Sequence, residues 1–298
     1  IMSDTVDLYS GSLSPNAAVD RLKAGVVRVD ETGMVGLSDA AGRRLAVDML
    51  AGHDLPATNN AAVDGYAVDS AFLTTHSDHD FTIVGRAAAG HPWPGVMAGG
   101  EAVRIFTGAV MPDGADAVAM QEFCDADEAA GTVRITRAVR PGANNRPAGE
   151  NLRHGEMIAA AGCRLGPAEL GIAAAAGHAK IQVFRRLRVG LLSMGDEVVP
   201  AGSPTTAGQL HDSNRPMLAA LLESDGHDVH DFGIVADDAA ALTDRYGAAL
   251  TACDAVISSG GASDGDEDHT QAAMRRLDIA PSFWRLAIKP GRPMAAGI

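Results

Sequence analysis

The last part of the chain alternates regularly between short apolar runs and longer amphipathic runs. Consecutive parallel strands need a crossover connection, which is usually a helix. The alternation therefore predicts βαβ units and a mostly parallel sheet with helices on both faces, so the expected fold class is a three-layer α/β domain. In chain order, the strand-type and helix-type runs are 189–193, 214–222, 229–235, 237–250, 255–259, 269–277 and 283–288.

The preceding part of the chain has a different pattern. Ser14 followed by Pro15 is a typical helix start. Further on, short β-type runs such as 81–84 and 132–135 alternate with turns rich in Gly, Pro and Asp, which indicates a mainly β region. The predicted domains are a discontinuous helical linker domain at 1–50 and 148–186, an inserted mainly-β domain at 51–147, and the α/β domain at 187–298.

The end of the chain predicts that the last domain is incomplete. Ile298 comes shortly after a strand-type run and the turn at 289–293, and no helix-type run follows. Strands of a parallel sheet are normally covered by helices on both faces. We therefore expect that the domain at 187–298 lacks part of its C-terminal region.

Composition argues against several classes of function. The formal net charge is -14 and no basic run offsets it, which argues against a nucleic-acid partner and against an anionic membrane surface. No apolar stretch is long enough to span a bilayer. Cys124, Cys163 and Cys253 are widely spaced, so they indicate neither a disulfide framework nor a zinc site. A reducing cytoplasm is the setting that we expect.

Three glycine-containing loops are candidates for a ligand site. They follow strand-type runs and lie at 193–197, 259–263 and 289–293. Ligands of open parallel sheets bind outside the carboxyl ends of the strands, where these loops are expected to meet. Glycine lets the backbone approach a ligand closely, and N–H groups before a helix favour an anion. Lys289 and Arg292 add positive charge to the third loop.

Several acidic residues surround the second loop, in the stretch SSGGASDGDEDH at 258–269. Asp268 is a candidate ligand for a divalent cation that bridges to a phosphate, since Mg²⁺ is typically held by one or two carboxylates and by substrate phosphates. Glu197 and Asp237 are candidates for the same role. The alternative is that the acids at 266–268 form the first turn of a helix, where negative charge complements the helix dipole.

Six groups of motifs, taken in order, resemble those of one family, the molybdopterin molybdenumtransferases, called MoeA in bacteria and represented in animals by the gephyrin E domain. The resemblance runs from roughly residue 10 to the end of the chain. The matching stretches are LPATNNAAVDGYA at 55–67 (family LPxFDNSAMDGYA), RIFTGA at 104–109 with PDGADAV at 112–118 (RIMTGAxxPxGADAV), GENLR at 149–153 (GEDIR), SMGDE at 193–197 with GQLHDSN at 208–214 (STGDE and GQIxDxN), SGGASDGDED at 259–268 (SGGVSVGxxD) and KPGRP at 289–293 (KPGKP).

The resemblance implies an activity and an assembly. Proteins of this family take adenylylated molybdopterin and molybdate, insert the metal into the dithiolene, and release AMP with the help of Mg²⁺. They are elongated homodimers with the site formed between subunits. The family also has a C-terminal β domain, for which this chain shows no counterpart.

The resemblance also implies roles for individual residues. The implied catalytic residues are Glu197, Asp237 and Asp268, as ligands of Mg²⁺, and Lys289 and Arg285, as cations for phosphate or molybdate. Arginine replaces a family lysine at position 285 and at position 292. The residues implied in binding the substrates are Asn59, Asp64, Thr107, Asn151, Ser193, Gly195, Asp196, Asp212, Asn214, Ser259, Gly260, Gly261, Ser263, Gly265, Pro290, Gly291 and Arg292. Of these, Asp64 and Thr107 would come from the β domain of a partner subunit.

The chain departs from the family motifs at several positions. Asn59 and Asn151 stand where the family has aspartates, and an amide keeps an oxygen acceptor but loses the charge. Met194 replaces a threonine, and Asp264 replaces a valine. Two interpretations stay open, an active divergent enzyme or a cofactor-binding carrier or scaffold without insertion activity. A further alternative is molybdopterin adenylyltransferase, against which the inserted domain at 51–147 argues.

Overall fold

The computed structural model describes residues 12–261 and 269–298. Within these residues the α-helices are α1 Pro15–Gly25, α2 Leu37–Ala40, α3 Ser70–Thr75, α4 Pro167–Ala175, α5 Asn214–Ser224, α6 Ala239–Ala252 and α7 His269–Arg276. The strands are β1 Thr32–Gly36, β2 Met49–Leu50, β3 Asn60–Ala61, β4 Gly65–Val68, β5 Asp80–Ala87, β6 Glu101–Ile105, β7 Ala117–Met120, β8 Cys124–Asp127, β9 Thr132–Ile135, β10 Asn145–Arg146, β11 Met157–Ala159, β12 Lys180–Phe184, β13 Arg188–Met194, β14 Val198–Val199, β15 Leu210–His211, β16 Asp228–Val235, β17 Ala255–Ser259, β18 Pro281–Arg285 and β19 Pro293–Gly297.

The chain divides into two compact units. The β-rich unit is Met34–Val183, and the α/β unit combines Ile1–Gly33 with Phe184–Ile298. The predicted α/β class is confirmed in this coarse form. The finer division into three domains, with 51–147 as a separate insertion, stays a prediction.

The α/β unit contains a parallel sheet with the strand order β16-β13-β17. Its central strand β13 is almost wholly buried, and Leu191, Leu192 and Met194 are 1–2% exposed. An apolar run enclosed on both faces is typical of a central parallel strand. Leu192 and Met194 pack with Val235 of β16 and Leu242 of α6 in one core. The three strands and helices α5 to α7 lie within about two residues of the predicted runs.

The prediction of a fourth parallel strand was wrong. The run at 283–288 contains the end of β18, which pairs antiparallel with β19 as a two-stranded sheet. Phe283 and Leu286 pack with Ala18 of α1 in a separate small core. A short apolar run suits a buried parallel strand and a hairpin strand equally well. Because the turn at 289–293 reverses the chain direction, β18 finds its partner locally and the turn is a hairpin loop.

The β-rich unit contains a six-stranded sheet with the order β7-β4-β6-β5-β9-β8. Strands β5 and β6 are parallel, and their other neighbours run antiparallel. Successive residues face opposite sides of a sheet. Accordingly, Val103 and Val118 belong to one core, whereas Ala102 and Ala119 belong to the core on the other side. This sheet agrees with the mainly β pattern of this part of the chain.

Gly65 in β4 provides a test of this sheet. A Cβ atom on Gly65 would lie 1.8 Å from the carbonyl oxygen of Ala119 on β7, a backbone atom that the sheet holds in place. We expect Gly65→Ala to lower the free energy of unfolding by about 3 kcal/mol or to prevent folding. Gly171→Ala in α4 is the matched control, because nothing lies within 4 Å of its Cβ position and alanine favours a helix.

Thermal unfolding followed by circular dichroism compares the two variants. The control is expected to melt at or above the temperature of the unmodified protein. Equal melting temperatures for Gly65→Ala and Gly171→Ala would contradict the close backbone approach.

Candidate functional site

Two of the predicted glycine loops start side by side at the carboxyl edge of the parallel sheet. Ser193 of β13 is the direct register partner of Ser259 of β17. After β17, Gly260 has φ +95° and Gly261 has φ +70°, in the left-handed region. A Cβ atom on Gly260 would lie 2.5 Å from the carbonyl oxygen of Met194. Only glycine therefore allows these two backbones to approach so closely.

Exposed acidic residues follow two neighbouring strands of this sheet. Glu197 follows β13 and Asp237 follows β16, and both are exposed. Asp196 Oδ1 accepts the backbone N–H of Asp237 at 3.1 Å, which ties the two loops together. The Glu197 carboxylate folds back over Gly195, where a Cβ atom would lie 2.5 Å from Glu197 Oε2. The two acids are thus presented at the same edge as the glycine loops.

The third predicted Mg²⁺ ligand, Asp268, lies outside the described residues, as do Ser263, Asp264 and Gly265. Within the described parts of the chain, no group of three or more His, Cys, Asp or Glu side chains is placed to hold a metal ion. Mg²⁺ usually takes one or two protein carboxylates together with substrate phosphates and water. Glu197 and Asp237, on neighbouring strand ends, fit this need in number and in donor type.

A polar network connects the start of α5 to two strands. Asn214 Nδ2 donates to Ser259 Oγ at 2.7 Å, at the end of β17. Arg215 Nε donates to Asp212 Oδ2 at 2.9 Å, and Arg215 Nη1 donates to Asp231 of β16. The family resemblance predicted Asp212 and Asn214 as substrate-binding residues, but nothing in the sequence analysis indicated Arg215. The local Asp212–Arg215 spacing was visible, whereas the contact with Asp231 is made only in the folded chain.

Asp212 is a buried acid within this network, 6% exposed. Burial alone raises the pKa of its carboxyl group. Hydrogen bonds from the side chain and the backbone N–H of Arg215, together with its positive charge, outweigh burial, so the net pKa lies below its usual value. The carboxylate therefore stays ionised and anchors the start of α5.

Tyr246 of α6 lies next to the strand ends below the glycine loop. Its hydroxyl donates to Ser258 Oγ at 2.6 Å and contacts Met194 Sδ at 3.6 Å. The methyl group of Met194 lies 1.8 Å from the position of a Cβ atom on Gly261. Met194, which replaces a threonine of the family motif, therefore fills the space beneath the loop. Sequence reasoning missed Tyr246, because no motif marks it.

The predicted cationic loop is part of the β18–β19 hairpin, which carries Arg285, Lys289, Pro290, Gly291 and Arg292. The backbone N–H of Leu286 donates to the Arg292 carbonyl at 2.9 Å and closes the turn. Lys289 is exposed and Gly291 has φ +98°. The expectation that this loop follows a strand of the parallel sheet was wrong, since β18 pairs with β19 instead.

Asp64 and Thr107 contact each other directly in the β-rich unit. Asp64 Oδ1 accepts the backbone N–H of Thr107 at 2.8 Å and its hydroxyl at 2.7 Å. These two hydrogen bonds, with a smaller contribution from the Arg104 charge, lower the pKa of Asp64. The pair therefore presents an ionised carboxylate at the end of β6.

Asn59 and Asn151 each use the amide oxygen as an acceptor. Asn59 Oδ1 accepts the backbone N–H of Ala148 at 2.9 Å. Asn151 Oδ1 accepts from Arg146 Nη2 at 3.2 Å. A carboxylate oxygen can accept the same hydrogen bonds. The two amides thus supply the local acceptor without the negative charge.

These features define the class of the protein. A parallel sheet with glycine loops and exposed acids at its carboxyl edge is the arrangement of a ligand-binding α/β protein. Family models then specify the class. The MoeA N-terminal region (domain I and II) matches residues 13–177, and the probable molybdopterin binding domain matches residues 190–298. The chain belongs to the MoeA family.

Similar proteins cover most of the chain. A molybdopterin molybdenumtransferase of Haemophilus influenzae is 37% identical over 90% of this chain and 65% of its own length. A molybdopterin molybdenumtransferase of Synechococcus elongatus is 34% identical over 96% of this chain and 72% of its own length. The crystal structure of the molybdopterin biosynthesis MoeA protein from Pyrococcus horikoshii OT3 has a TM-score of 0.82 at 27% identity and covers 96% of this chain and 72% of that one.

This chain spans less than two thirds of some relatives, 65% of the Haemophilus protein and 61% of a Nostoc sp. molybdopterin molybdenumtransferase. Among the described residues, no helix has the length and apolar content needed to cross a membrane. Cys124, Cys163 and Cys253 are free. The cytoplasmic location stays a prediction.

The ionised Asp212 carboxylate predicts a pH-dependent contribution to stability. Because its pKa is lower in the folded protein than the unfolded value of about 4, the contribution is present above that pH and is lost as the pH falls through the folded-state pKa. We expect Asp212→Asn to lower the free energy of unfolding by about 2 kcal/mol at pH 7. The difference from the unmodified protein should shrink below about pH 4.

Urea unfolding at pH 7 and pH 3 measures this difference. Asp244→Asn is the matched control, since Asp244 lies exposed on α6 in the same unit, and its substitution should have little effect at either pH. An Asp212→Asn effect of the same size at both pH values would show that the carboxylate charge does not stabilise the network.

Proposed function

We propose that this protein is a molybdopterin molybdenumtransferase, which inserts molybdenum from molybdate into adenylylated molybdopterin and releases AMP. The observation that carries the proposal is the pair of glycine loops at 193–197 and 259–261, which start side by side with Glu197 and Asp237 exposed at the same edge. Membership of the MoeA family and the names of the relatives support it.

The reaction brings two anions together. Adenylylated molybdopterin carries phosphate and molybdate is an oxyanion, so N–H donors and cations must hold both. Backbone N–H groups of the two glycine loops are suited to phosphate oxygens. Arg285, Lys289 and Arg292 of the hairpin would balance the remaining negative charge, and a guanidinium binds an oxyanion through two parallel hydrogen bonds.

Glu197 and Asp237, with Asp268, would hold Mg²⁺ close to the adenylyl phosphate. When bound, Mg²⁺ polarises the phosphoryl group and stabilises the charge on the departing AMP. Asp196 holds the backbone of Asp237 in place through its hydrogen bond. Asn214, through its bond to Ser259, would keep the second glycine loop in position to bind the phosphate.

We also propose that the β-rich unit completes the site from the partner subunit of a homodimer. Asp64 and Thr107 form an ordered polar pair that would face the substrate. Asn59 and Asn151 would lie near molybdate. The resemblance of these segments to the family motifs supports the assignment, as does the match of residues 13–177 to the MoeA N-terminal region.

Molybdate-dependent release of AMP tests the proposed activity. The purified protein is incubated with adenylylated molybdopterin and Mg²⁺, with and without molybdate, and AMP is quantified by chromatography. We expect Glu197→Gln to lower the rate by at least about tenfold, since it removes one charge from the metal site. Glu223→Gln, on the exposed side of α5, should leave the rate unchanged. Unmodified protein that binds the substrate but releases no AMP with molybdate would refute the activity.

A cofactor-binding role without insertion is the second candidate function. It is favoured by the missing charges at Asn59 and Asn151. Because the Asn59 amide oxygen already accepts the N–H of Ala148, we expect Asn59→Asp to keep the local structure and to change AMP release little. Release that occurs only in Asn59→Asp would favour the carrier role instead. The names of the relatives do not favour the adenylyltransferase alternative.

A further inference from the structure

Two arginines stand next to each other on one face of the six-stranded sheet. Arg86 of β5 and Arg104 of β6 are direct register partners on parallel neighbouring strands. Arg104 is in turn the register partner of Tyr66 on β4. Phe106 lies two residues beyond Arg104, so it is close to the same face. Thr107, the partner of Asp64, is the next residue in the chain.

The guanidinium groups of Arg86 and Arg104 pack against aromatic rings. Arg86 Cζ lies 4.6 Å from the centroid of the Phe106 ring, and Arg104 Cζ lies 4.7 Å from the same centroid. Arg104 Cζ also lies 5.0 Å from the centroid of the Tyr66 ring. A guanidinium placed over an aromatic face keeps its N–H groups in its own plane, where they can donate hydrogen bonds to a ligand beside the ring.

The hydrogen bonds of Arg104 go to neutral groups. Arg104 Nη1 donates to the Gly65 carbonyl at 2.8 Å, and Nη2 donates to Gln121 Oε1 at 2.7 Å. Among the described residues, no salt bridge joins Arg86 or Arg104 to a carboxylate. The nearby carboxylate of Asp64 is held by the N–H and hydroxyl of Thr107.

Like charges on directly opposed residues of neighbouring strands destabilise a sheet. A chain with a net charge of -14 nevertheless places two arginines in this arrangement. Arg86 is exposed, whereas Arg104 is half-buried and fixed by its hydrogen bonds. An anion between them would reduce the repulsion and would accept hydrogen bonds from the guanidinium group of Arg86.

We propose that Arg86 and Arg104, stacked on Phe106, form a binding site for a tetrahedral oxyanion. Its identity rests on the proposed function, which supplies two oxyanions of this chemistry, the phosphate of the adenylylated substrate and molybdate. Arg86 donates to the oxyanion in the plane of its guanidinium, and Arg104 contributes fixed positive charge. The proposed site would place a cationic group next to the Asp64–Thr107 pair.

Calorimetric titration of the 298-residue chain with AMP and, separately, with sodium molybdate at low ionic strength tests the site. We expect Arg86→Gln to weaken the binding of one of the two probes by about tenfold, the value of one lost charge-assisted hydrogen bond. Arg86→Lys should restore only part of the affinity, because it keeps the charge but loses the planar fork. The probe that responds identifies the source of the oxyanion, phosphate or molybdate.

Arg137→Gln is the matched control. Arg137 is also exposed and stacks on a phenyl ring, with Cζ 4.6 Å from the centroid of Phe123, so the substitution removes the same kind of contact elsewhere in the unit. We expect it to leave the binding of both probes unchanged. Equal affinities of the unmodified protein and Arg86→Gln for both probes would overturn the proposed site.

The same variants separate this inference from the proposed function. AMP release by Arg86→Gln with an unchanged KM for both substrates would overturn the oxyanion site while leaving the activity in place. Arg86-dependent binding of molybdate or AMP by a protein that releases no AMP would support the site and refute the activity. Circular dichroism melting of Arg86→Gln checks that the sheet is intact, and we expect no loss, since Arg86 is exposed.

Discussion

The pairing of β13 with β16 on one side and β17 on the other is the constraint on which the α/β unit depends. Strands on both sides satisfy the backbone hydrogen-bonding groups of β13, and layers packed on both faces of the sheet enclose its buried side chains. The resulting register places Ser193 beside Ser259 and Met194 beside Val235. A slip by one residue would exchange the two faces of β13 and separate these strand ends. The packing of the core and the position of the polar loops are thus set by one pairing.

The polar groups at this edge depend on that pairing in turn. Gly260 and Gly261 are tolerated next to Met194 because they lack side chains, and the approach leaves their backbone N–H groups at the sheet edge. Asp212 and Arg215 connect the start of α5 to β16 through Asp231. Asn214 makes the equivalent connection to β17. Helix α5 is therefore anchored to both outer strands.

An acidic chain that binds anions, as we propose for this one, needs positive potential locally. In the α/β unit, a cation held by Glu197 and Asp237, as proposed, would attract a phosphate that the two acids alone would repel. In the β-rich unit, Arg86 and Arg104 are brought together by strand pairing, and aromatic stacking on Phe106 offsets part of their repulsion. The net charge of the chain thus describes its average surface but not the potential at either cluster.

The sequence by itself determined the elements whose information is local. Apolar periodicity identified β13, β16, β17 and helices α5 to α7, because burial on a strand or on one helix face leaves a regular pattern in the chain. Ser14 before Pro15 marked the start of α1, and the Ser14 side chain does accept the N–H of Ala17. The glycine loops were also visible as motifs, and parallel topology correctly predicted that the loops after β13 and β17 start at one edge, whereas the loop at 289–293 belongs to a hairpin.

Only the tertiary structure decided which distant groups meet. The apolar run at 283–288 is compatible with a parallel strand and with a hairpin strand. The chain reverses direction at 289–293, and this reversal leads to the pairing of β18 with β19. Arg86 and Arg104 are separated by a strand connection, so nothing in their local sequence shows that they are register partners. Periodicity reports which side of an element is buried, whereas the partner across a sheet depends on strand order and register, which are properties of the folded chain as a whole.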